Sequence, residues 1–392
     1  MKIVMTGGGS GGHIMPILAV AQQVKTLQPE AAVMYIGQRG DALADIPAQD
    51  PNIDDVYAVS AGKLRRYHNE GWRQLFDVRT QALNIRDIFR VLRGVWQSYW
   101  LLRRLKPDVI FTRGGFVSVP VALAGKLNGI PYITHDSDSI PSLANRLIAR
   151  WAHTHAVALP AELYPYPAEK TIVVGIPVST SYEPVTPALR QEYREFLGLD
   201  YVQVVLLTGG GNGARMLNEA LIANAKYLLG TFPDLALVHI AGRALEAETN
   251  AGYDALQLGA ARERVMVHGF VHDLYRYSGA ADVVIARGGA TNLAEFALQQ
   301  AACVVVPSKQ LSWNVKNSRA LAEREAILEL TEDQVEQPER LGRTIGGLLE
   351  DEALRRKLAD TIAAYAHPQA AKELARILVN IAGGAAHARS EK

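Results

Sequence analysis

Three glycine-rich stretches hold residue types suited to chemistry on a charged, oxygen-rich ligand. The first is Gly7-Gly8-Gly9-Ser10-Gly11-Gly12-His13, with Pro16 just beyond. Glycines let a backbone approach a phosphate, and a following helix presents free N–H groups and the positive end of its dipole. No Gly-Lys-Ser/Thr follows, so this is not a P-loop, and the spacing is not that of a dinucleotide fingerprint. A tight turn without a ligand is the alternative. His13 sits at the expected helix start, where an imidazole can act as a general base, although a lone histidine is as readily structural. The second stretch, Gly209-Gly210-Gly211-Asn212-Gly213-Ala214-Arg215, follows the same logic. The third, Arg287-Gly288-Gly289-Ala290-Thr291-Asn292-Leu293-Ala294-Glu295, is the richest. Arg287 ends an apolar run, Thr291 or Asn292 can cap a helix, and Glu295 is expected on that helix's first turn. A carboxylate there can accept two hydrogen bonds from a ribose diol, or merely offset the helix dipole. Asp136-Ser137-Asp138 spells Asp-x-Asp, a metal–diphosphate pattern in other transferases, but three residues do not specify a metal, and none is expected.

These stretches fall at matching places in an internal duplication. Ile3-Val4-Met5 leads into Thr6-Gly7-Gly8-Gly9, and Val204-Val205-Leu206-Leu207 leads into Thr208-Gly209-Gly210-Gly211. Asp108-Val109-Ile110-Phe111-Thr112-Arg113-Gly114-Gly115 is echoed by Asp282-Val283-Val284-Ile285-Ala286-Arg287-Gly288-Gly289. Apolar strands (32–36, 132–134, 171–174, 235–240, 265–267 and 303–306) alternate with helical patterns. That alternation predicts two α/β domains with parallel sheets and ligands at the carboxyl ends of the strands. The expected division is 1–175 and 176–367, near Gly175-Ile176-Pro177, with a last helix from about Pro368 packing back on the first domain. A chain of 392 residues fits two domains. A net charge of +1 gives no nucleic-acid signature. Cys303 is the only cysteine and lies in an apolar run, so it is expected in a core and no disulfide framework exists. The first residues lack a signal-peptide pattern and no run is long enough to span a membrane, which predicts a cytoplasmic protein.

Taken together, these motifs resemble glycosyltransferase family 28, the bacterial cell-wall N-acetylglucosaminyltransferases, from Gly7 to about Ala326. Gly8 to His13 with Pro16 is similar to the family's first glycine loop, Gly114-Gly115-Phe116-Val117-Ser118 with Pro120 to its second, and Gly210 to Arg215 to its third. The resemblance implies a GT-B fold, two Rossmann-like domains facing across a cleft. It implies inverting transfer of N-acetylglucosamine from UDP-GlcNAc to undecaprenyl-diphosphoryl-MurNAc-pentapeptide, without a cofactor, in peptidoglycan synthesis. By matching positions, Gly211, Asn212, Arg215, Val271, Arg287, Ala290, Thr291, Asn292, Glu295, Trp313 and Asn314 would bind the donor, with Glu295 on the ribose and Val271 offering its backbone to uracil. Gly9, Ser10, Gly11, Gly12, Gly114 and Gly115 would hold the acceptor diphosphate. His13, Asp136 and Asp138 are the candidate catalytic groups. Asp136-Ser137-Asp138 stands where the family has Glu-Gln-Asn, Ser179 where it has a linker Arg, and Trp313-Asn314 where it has Gln-Gln. A UDP-sugar transferase with another acceptor, or a non-catalytic nucleotide-sugar-binding protein, are the alternatives that a donor-turnover assay separates.

A lipid-linked acceptor requires a membrane-facing surface. Between Ala61 and Lys106 there are eleven Lys or Arg against three Asp or Glu, interleaved with Leu64, Tyr67, Trp72, Leu75, Phe76, Trp96, Tyr99 and Trp100. Anionic lipid attracts such basic residues while aromatic side chains enter the interface, which places the protein peripherally on the cytoplasmic side of the membrane. The alternative is a solvated helix with Trp96 and Trp100 packed inward.

Overall fold

The computed structural model describes residues 1–9, 11–63, 78–138, 140–211 and 213–390. The chain divides into two compact units, Met1–Ser179 with Gln369–Lys392, and Thr180–Pro368.

The first unit is built on seven strands: β1 (Lys2–Thr6), β2 (Ala32–Gln38), β3 (Asp55–Val59), β4 (Val109–Thr112), β5 (Tyr132–Asp136), β6 (Thr154–Val157) and β7 (Thr171–Val173). Their order is β3-β2-β1-β4-β5-β6-β7, and every pair is parallel. The second unit has six: β8 (Gln203–Thr208), β9 (Leu235–Ile240), β10 (Val265–His268), β11 (Val283–Ala286), β12 (Cys303–Val305) and β13 (Leu328–Glu329). They are ordered β10-β9-β8-β11-β12-β13, again all parallel. The two duplicated landmarks occupy equivalent, adjacent positions. β1 pairs β4 with Thr6 opposite Thr112, and β8 pairs β11 with Thr208 opposite Ala286. Each is the point where strand order reverses, so the glycine turns open at the crevice that parallel sheets offer to ligands.

The strands are continuous apolar runs because helices cover both faces. Alternate residues then serve different cores: Ile3 and Met5 pack on one side of the first sheet and Val4 on the other, as Val205 and Leu207 oppose Val204 and Leu206 in the second. The C-terminal helix, Ala370–Ser390, inserts Leu374, Leu378 and Ala382, at i, i+4, i+8 spacing, among Ile3, Ile17 and Val24 of the first unit. Cys303 is buried in the second sheet's core, where desolvation pushes its thiol pKa up and leaves it unreactive.

The helix Val78–Leu105 has inverted polarity. Its buried face carries Thr80, Asp87, Gly94, Ser98 and Leu102, while Ile85, Ile88, Phe89, Leu92, Trp96 and Trp100 are 49–66% exposed. The two tryptophans therefore face outward, contrary to the inward alternative. Close approach explains the small residues: a β-carbon on Gly94 would meet the Ser60 carbonyl oxygen at 2.0 Å, and one on Gly62 would meet that of Asp87 at 2.1 Å. Among the described residues, no helix is long and apolar enough to cross a membrane.

Candidate functional site

In the first unit, two glycine turns lie side by side at the ends of β1 and β4. Thr6 Oγ1 donates to the Ile36 carbonyl at 2.8 Å, closing the end of β1. Gly9 then adopts φ +80°, and its N–H donates to Asp41 Oδ2 at 2.9 Å. That amide is thus already engaged by a carboxylate, which a bound diphosphate would have to displace. The helix Gly11–Leu27 follows and carries Gly11 and Gly12 at its open end. After β4, Thr112 Oγ1 accepts from the Gly114 N–H at 3.2 Å, and Gly114 and Gly115 take φ +85° and +80°. A β-carbon on Gly115 would lie 3.1 Å from the Gly8 carbonyl oxygen and 3.5 Å from His13 Nδ1. Only glycine permits this approach with the left-handed backbone. Ser10 lies outside the described residues.

His13, half-buried in the helix's first turn, has Nδ1 3.2 Å from the Gly8 carbonyl oxygen. A proton on Nδ1 makes that bond and leaves Nε2 as the ring's acceptor, the tautomer a base requires. Burial, then the Arg113 charge, lowers its pKa to about 4, so the imidazole is neutral at pH 7.

Arg113 was not among the expected site residues. It is buried at the end of β4, donates to Ser137 Oγ, and interacts with Asp138 and Asp136. The signal was present, since a charged residue closes an otherwise apolar strand at the same place as Arg287. Asp136 ends β5 with both oxygens engaged: Oδ1 accepts from the Ser142 N–H at 3.1 Å and Oδ2 from the Tyr166 hydroxyl at 2.7 Å. This carboxylate braces the loop against two elements, and burial raises its pKa. Asp138 stays close enough to Arg113 to offset its charge. Among the described residues, no cluster of three or more His, Cys, Asp or Glu could hold a metal ion.

The second unit repeats the arrangement. Thr208 Oγ1 accepts from the Gly210 N–H at 3.3 Å, mirroring Thr112 and Gly114. Gly210 and Gly213 have φ +80° and +73°, and a β-carbon on Gly213 would strike the Ala241 carbonyl oxygen at 2.2 Å. Gly211 is half-buried at the end of this turn's described part, and Asn212 lies outside the described residues. Arg215 opens the helix Arg215–Thr231 and pairs with Glu248 on the neighbouring helix, Glu246–Ala255, which holds its guanidinium over that helix pair.

Two expectations for Arg287 to Glu295 are corrected. The helix spans Ala290–Gln299 with Gly289 as N-cap, so Thr291 and Asn292 lie inside its first turn and neither is the capping residue. Glu295 is its sixth residue, on the second turn, too far in for dipole compensation to explain it. It is 4% exposed, and Asn292 Nδ2 donates to its Oε2 at 2.9 Å. Burial pushes its pKa up to about 8, so the resting carboxyl is protonated at neutral pH. Tyr182, buried and without any sequence signal, lies close enough to feel its charge. Arg287 donates to Glu332 Oε1 at 2.7 Å and to the Val306 carbonyl at 3.1 Å, which fixes its guanidinium at the end of β11. Glu332 was likewise unforeseen. Asn314 is buried with its backbone against the turn, since a β-carbon on Gly288 would meet the Asn314 carbonyl oxygen at 2.7 Å, and Trp313 is half-buried beside it. Ala290 is the first helical residue. Val271 follows β10 and packs partly into the second unit's core.

Two Rossmann-like units, each with glycine turns at its switch point, and a buried carboxyl following an Arg-Gly-Gly turn define a nucleotide-sugar glycosyltransferase of the GT-B type. The family models agree: the glycosyltransferase family 28 N-terminal domain matches residues 3–157 and its C-terminal domain residues 204–374. A relative from Symbiobacterium thermophilum, a UDP-N-acetylglucosamine–N-acetylmuramyl-(pentapeptide) pyrophosphoryl-undecaprenol N-acetylglucosamine transferase, is 31% identical over 402 residues, covering 100% of this chain and 99% of the relative. One of the same description from Bacillus thuringiensis is 35% identical over 311 residues, 78% of this chain and 79% of its own. The crystal structure of Acinetobacter baumannii MurG shares the fold, with a TM-score of 0.66 at 24% identity over 97% of this chain and 99% of that one. The chain belongs to glycosyltransferase family 28.

Proposed function

We propose that this protein is an inverting transferase that moves N-acetylglucosamine from UDP-GlcNAc to an undecaprenyl-diphosphoryl-MurNAc-pentapeptide acceptor in peptidoglycan synthesis. The observation that carries the reading is full-length similarity to transferases of that description, together with the two glycine-turn sites just described. The second unit takes the donor: Glu295 on the ribose, Val271 on the base, Gly211, Ala290, Thr291 and Asn292 about the diphosphate, Trp313 and Asn314 toward the sugar. Arg287 and the helix N–H groups after Gly289 stabilise the charge that UDP gains as it leaves, an interaction stronger in the transition state than in the ground state. The first unit takes the acceptor diphosphate at Gly9, Gly11, Gly12, Gly114 and Gly115. His13 Nε2 removes the proton of the attacking hydroxyl in a single displacement.

The exposed stripe from Ile85 to Trp100, flanked by exposed Arg86, Arg90, Arg93, Arg103 and Arg104, supports a peripheral contact with anionic membrane on the cytoplasmic face. Each cation near such a surface adds about 1 kcal/mol. The rest of the basic stretch, including Leu64, Arg65, Arg66, Tyr67, Trp72, Leu75 and Phe76, lies outside the described residues. UDP release measured across a panel of donors and acceptors tests the transfer. Release that needs both UDP-GlcNAc and a prenyl-diphosphate-linked acceptor supports it, and equal release with a soluble sugar acceptor rejects it. Flotation with anionic liposomes at low salt tests the membrane face, which fails if the protein stays in the soluble fraction.

A further inference from the structure

A shallow, solvent-open cavity of about 290 Å³ lies between the edge strand β3 and the helix Val78–Leu105, with Arg39, Tyr57, Ala58, Trp96, Trp100 and Leu101 in its lining. Its wall is mainly aromatic and aliphatic, which suits hydrocarbon. Arg39 lines one side, and Arg104 stands over the Tyr57 ring at 6.0 Å. The same tryptophans, 66% and 54% exposed, end the outward apolar stripe that runs through Leu92, Phe89, Ile88 and Ile85. The cavity therefore continues into the exposed apolar stripe proposed above to meet lipid.

Its other end adjoins the first glycine turn. The Arg39 N–H donates to the Val59 carbonyl at 2.9 Å, which fixes the Arg39-Gly40-Asp41 turn to β3. Two residues on, Asp41 Oδ2 receives the Gly9 N–H at 2.9 Å. Two residues of chain span about 7 Å at most, so the Arg39 side of the cavity is joined to the glycine turn through one short loop at the carboxyl end of the sheet, two strands in from β3. A diphosphate at the glycine turns that carries a hydrocarbon chain has this cavity on the way to the stripe.

We propose that the cavity seats the isoprenoid units nearest the diphosphate of the lipid-linked acceptor, so that the enzyme grips the start of the lipid chain separately from its contact with the bilayer. This rests on the acceptor reading given above. A bilayer phospholipid fits less well, because the cavity lies beside the diphosphate turn, while the stripe along the rest of the helix already faces lipid.

The test compares binding of farnesyl diphosphate, inorganic pyrophosphate and dihexanoyl phosphatidylglycerol to the full-length protein by calorimetry. Two variants probe the cavity, Ala58→Trp to fill it and Trp96→Ala to open its wall. Both positions are exposed, where substitutions cost little stability, and thermal melting verifies folding. Farnesyl diphosphate should bind at least roughly tenfold more tightly than pyrophosphate, from burial of several methylene equivalents. Each variant should remove most of that advantage while pyrophosphate and UDP-GlcNAc binding stay unchanged. Equal affinity for the two diphosphates overturns the proposal, as does a farnesyl advantage that survives both variants. Displacement of farnesyl diphosphate by equimolar dihexanoyl phosphatidylglycerol overturns it in favour of a phospholipid site. If the cavity behaves as proposed but no sugar reaches a prenyl-linked acceptor, the transferase reading fails and the prenyl site stands.

Discussion

Glu295 gives the donor site a measurable pH signature. Its carboxyl is buried, bonded through one oxygen to Asn292, and has a pKa of about 8. At pH 7 it is about nine-tenths protonated by its titration curve. Pairing with a ribose diol through two acceptor oxygens requires the carboxylate, so donor binding must expel that proton. About 0.9 proton should be released at pH 7 and about 0.1 at pH 9, and the affinity for UDP-GlcNAc should rise roughly tenfold between those values. UDP-GlcNAc is the right probe, because its diphosphate diester does not titrate near neutrality. Calorimetry in two buffers of different ionisation enthalpy measures the release directly. Glu295→Gln should abolish the proton release, flatten the pH dependence and lower the limiting affinity by more than about tenfold, roughly 1.4 kcal/mol. Affinity that is flat from pH 6 to 9 with no proton released, in wild type and variant alike, would falsify the ribose assignment.

Other consequences follow from the same geometry. His13→Ala should lower kcat by roughly 10² or more with UDP-GlcNAc affinity unchanged, and near-normal turnover by a folded variant removes His13 from the mechanism. His13, His155 and His239 each have pKa values lowered to about 4, chiefly by burial. The unfolded chain binds more protons than the folded one between pH 4 and about 6.5, so stability is full above 6.5 and falls as pH drops through that window. Each contributes on the order of 3 kcal/mol by pH 4, together comparable to a typical unfolding free energy, so denaturant midpoints should collapse there. A midpoint unchanged from pH 7 to 4.5 contradicts that reading. Glu295 acts in the opposite direction: its raised pKa makes stability decline between about pH 4.5 and 8, and Glu295→Gln should remove that slope in chemical denaturation measured across the range. Finally, Glu332→Gln should reduce kcat by freeing Arg287 from its pair while leaving the fold intact, and unchanged turnover shows that the pairing does not position it.

Repetition made the architecture readable. Thr6-Gly7-Gly8-Gly9 and Thr208-Gly209-Gly210-Gly211, with the two Arg-Gly-Gly echoes, mark the strands on either side of each switch point, and their apolar runs mark central strands. Edge strands were harder. β3, Asp55-Val56-Tyr57-Ala58-Val59, is short and mostly exposed, and β13 has only two residues. Glu295 and His13 stood out because glycine turns surround them. Distant neighbours in the second unit did not: Tyr182, 113 positions from Glu295, lies close enough to feel its charge, and Glu332 reaches Arg287 across 45. Long-range contacts such as these leave no local pattern in sequence. The helix Val78–Leu105 misleads in the opposite way, since its apolar residues face out and its buried face is Thr80, Asp87, Gly94 and Ser98. Nothing in its period shows which face meets the sheet.

Inverting transfer from UDP-GlcNAc to a lipid-linked diphosphate acceptor is tested by product analysis after incubating the full-length protein with UDP-GlcNAc and a soluble, short-prenyl diphosphoryl-MurNAc-pentapeptide, by mass spectrometry and proton NMR of the new anomeric centre. One added N-acetylhexosamine per UDP released, in a β linkage formed from the α-linked donor, is the expected product. Retention of the α configuration, or UDP release with no sugar on the acceptor, would contradict it.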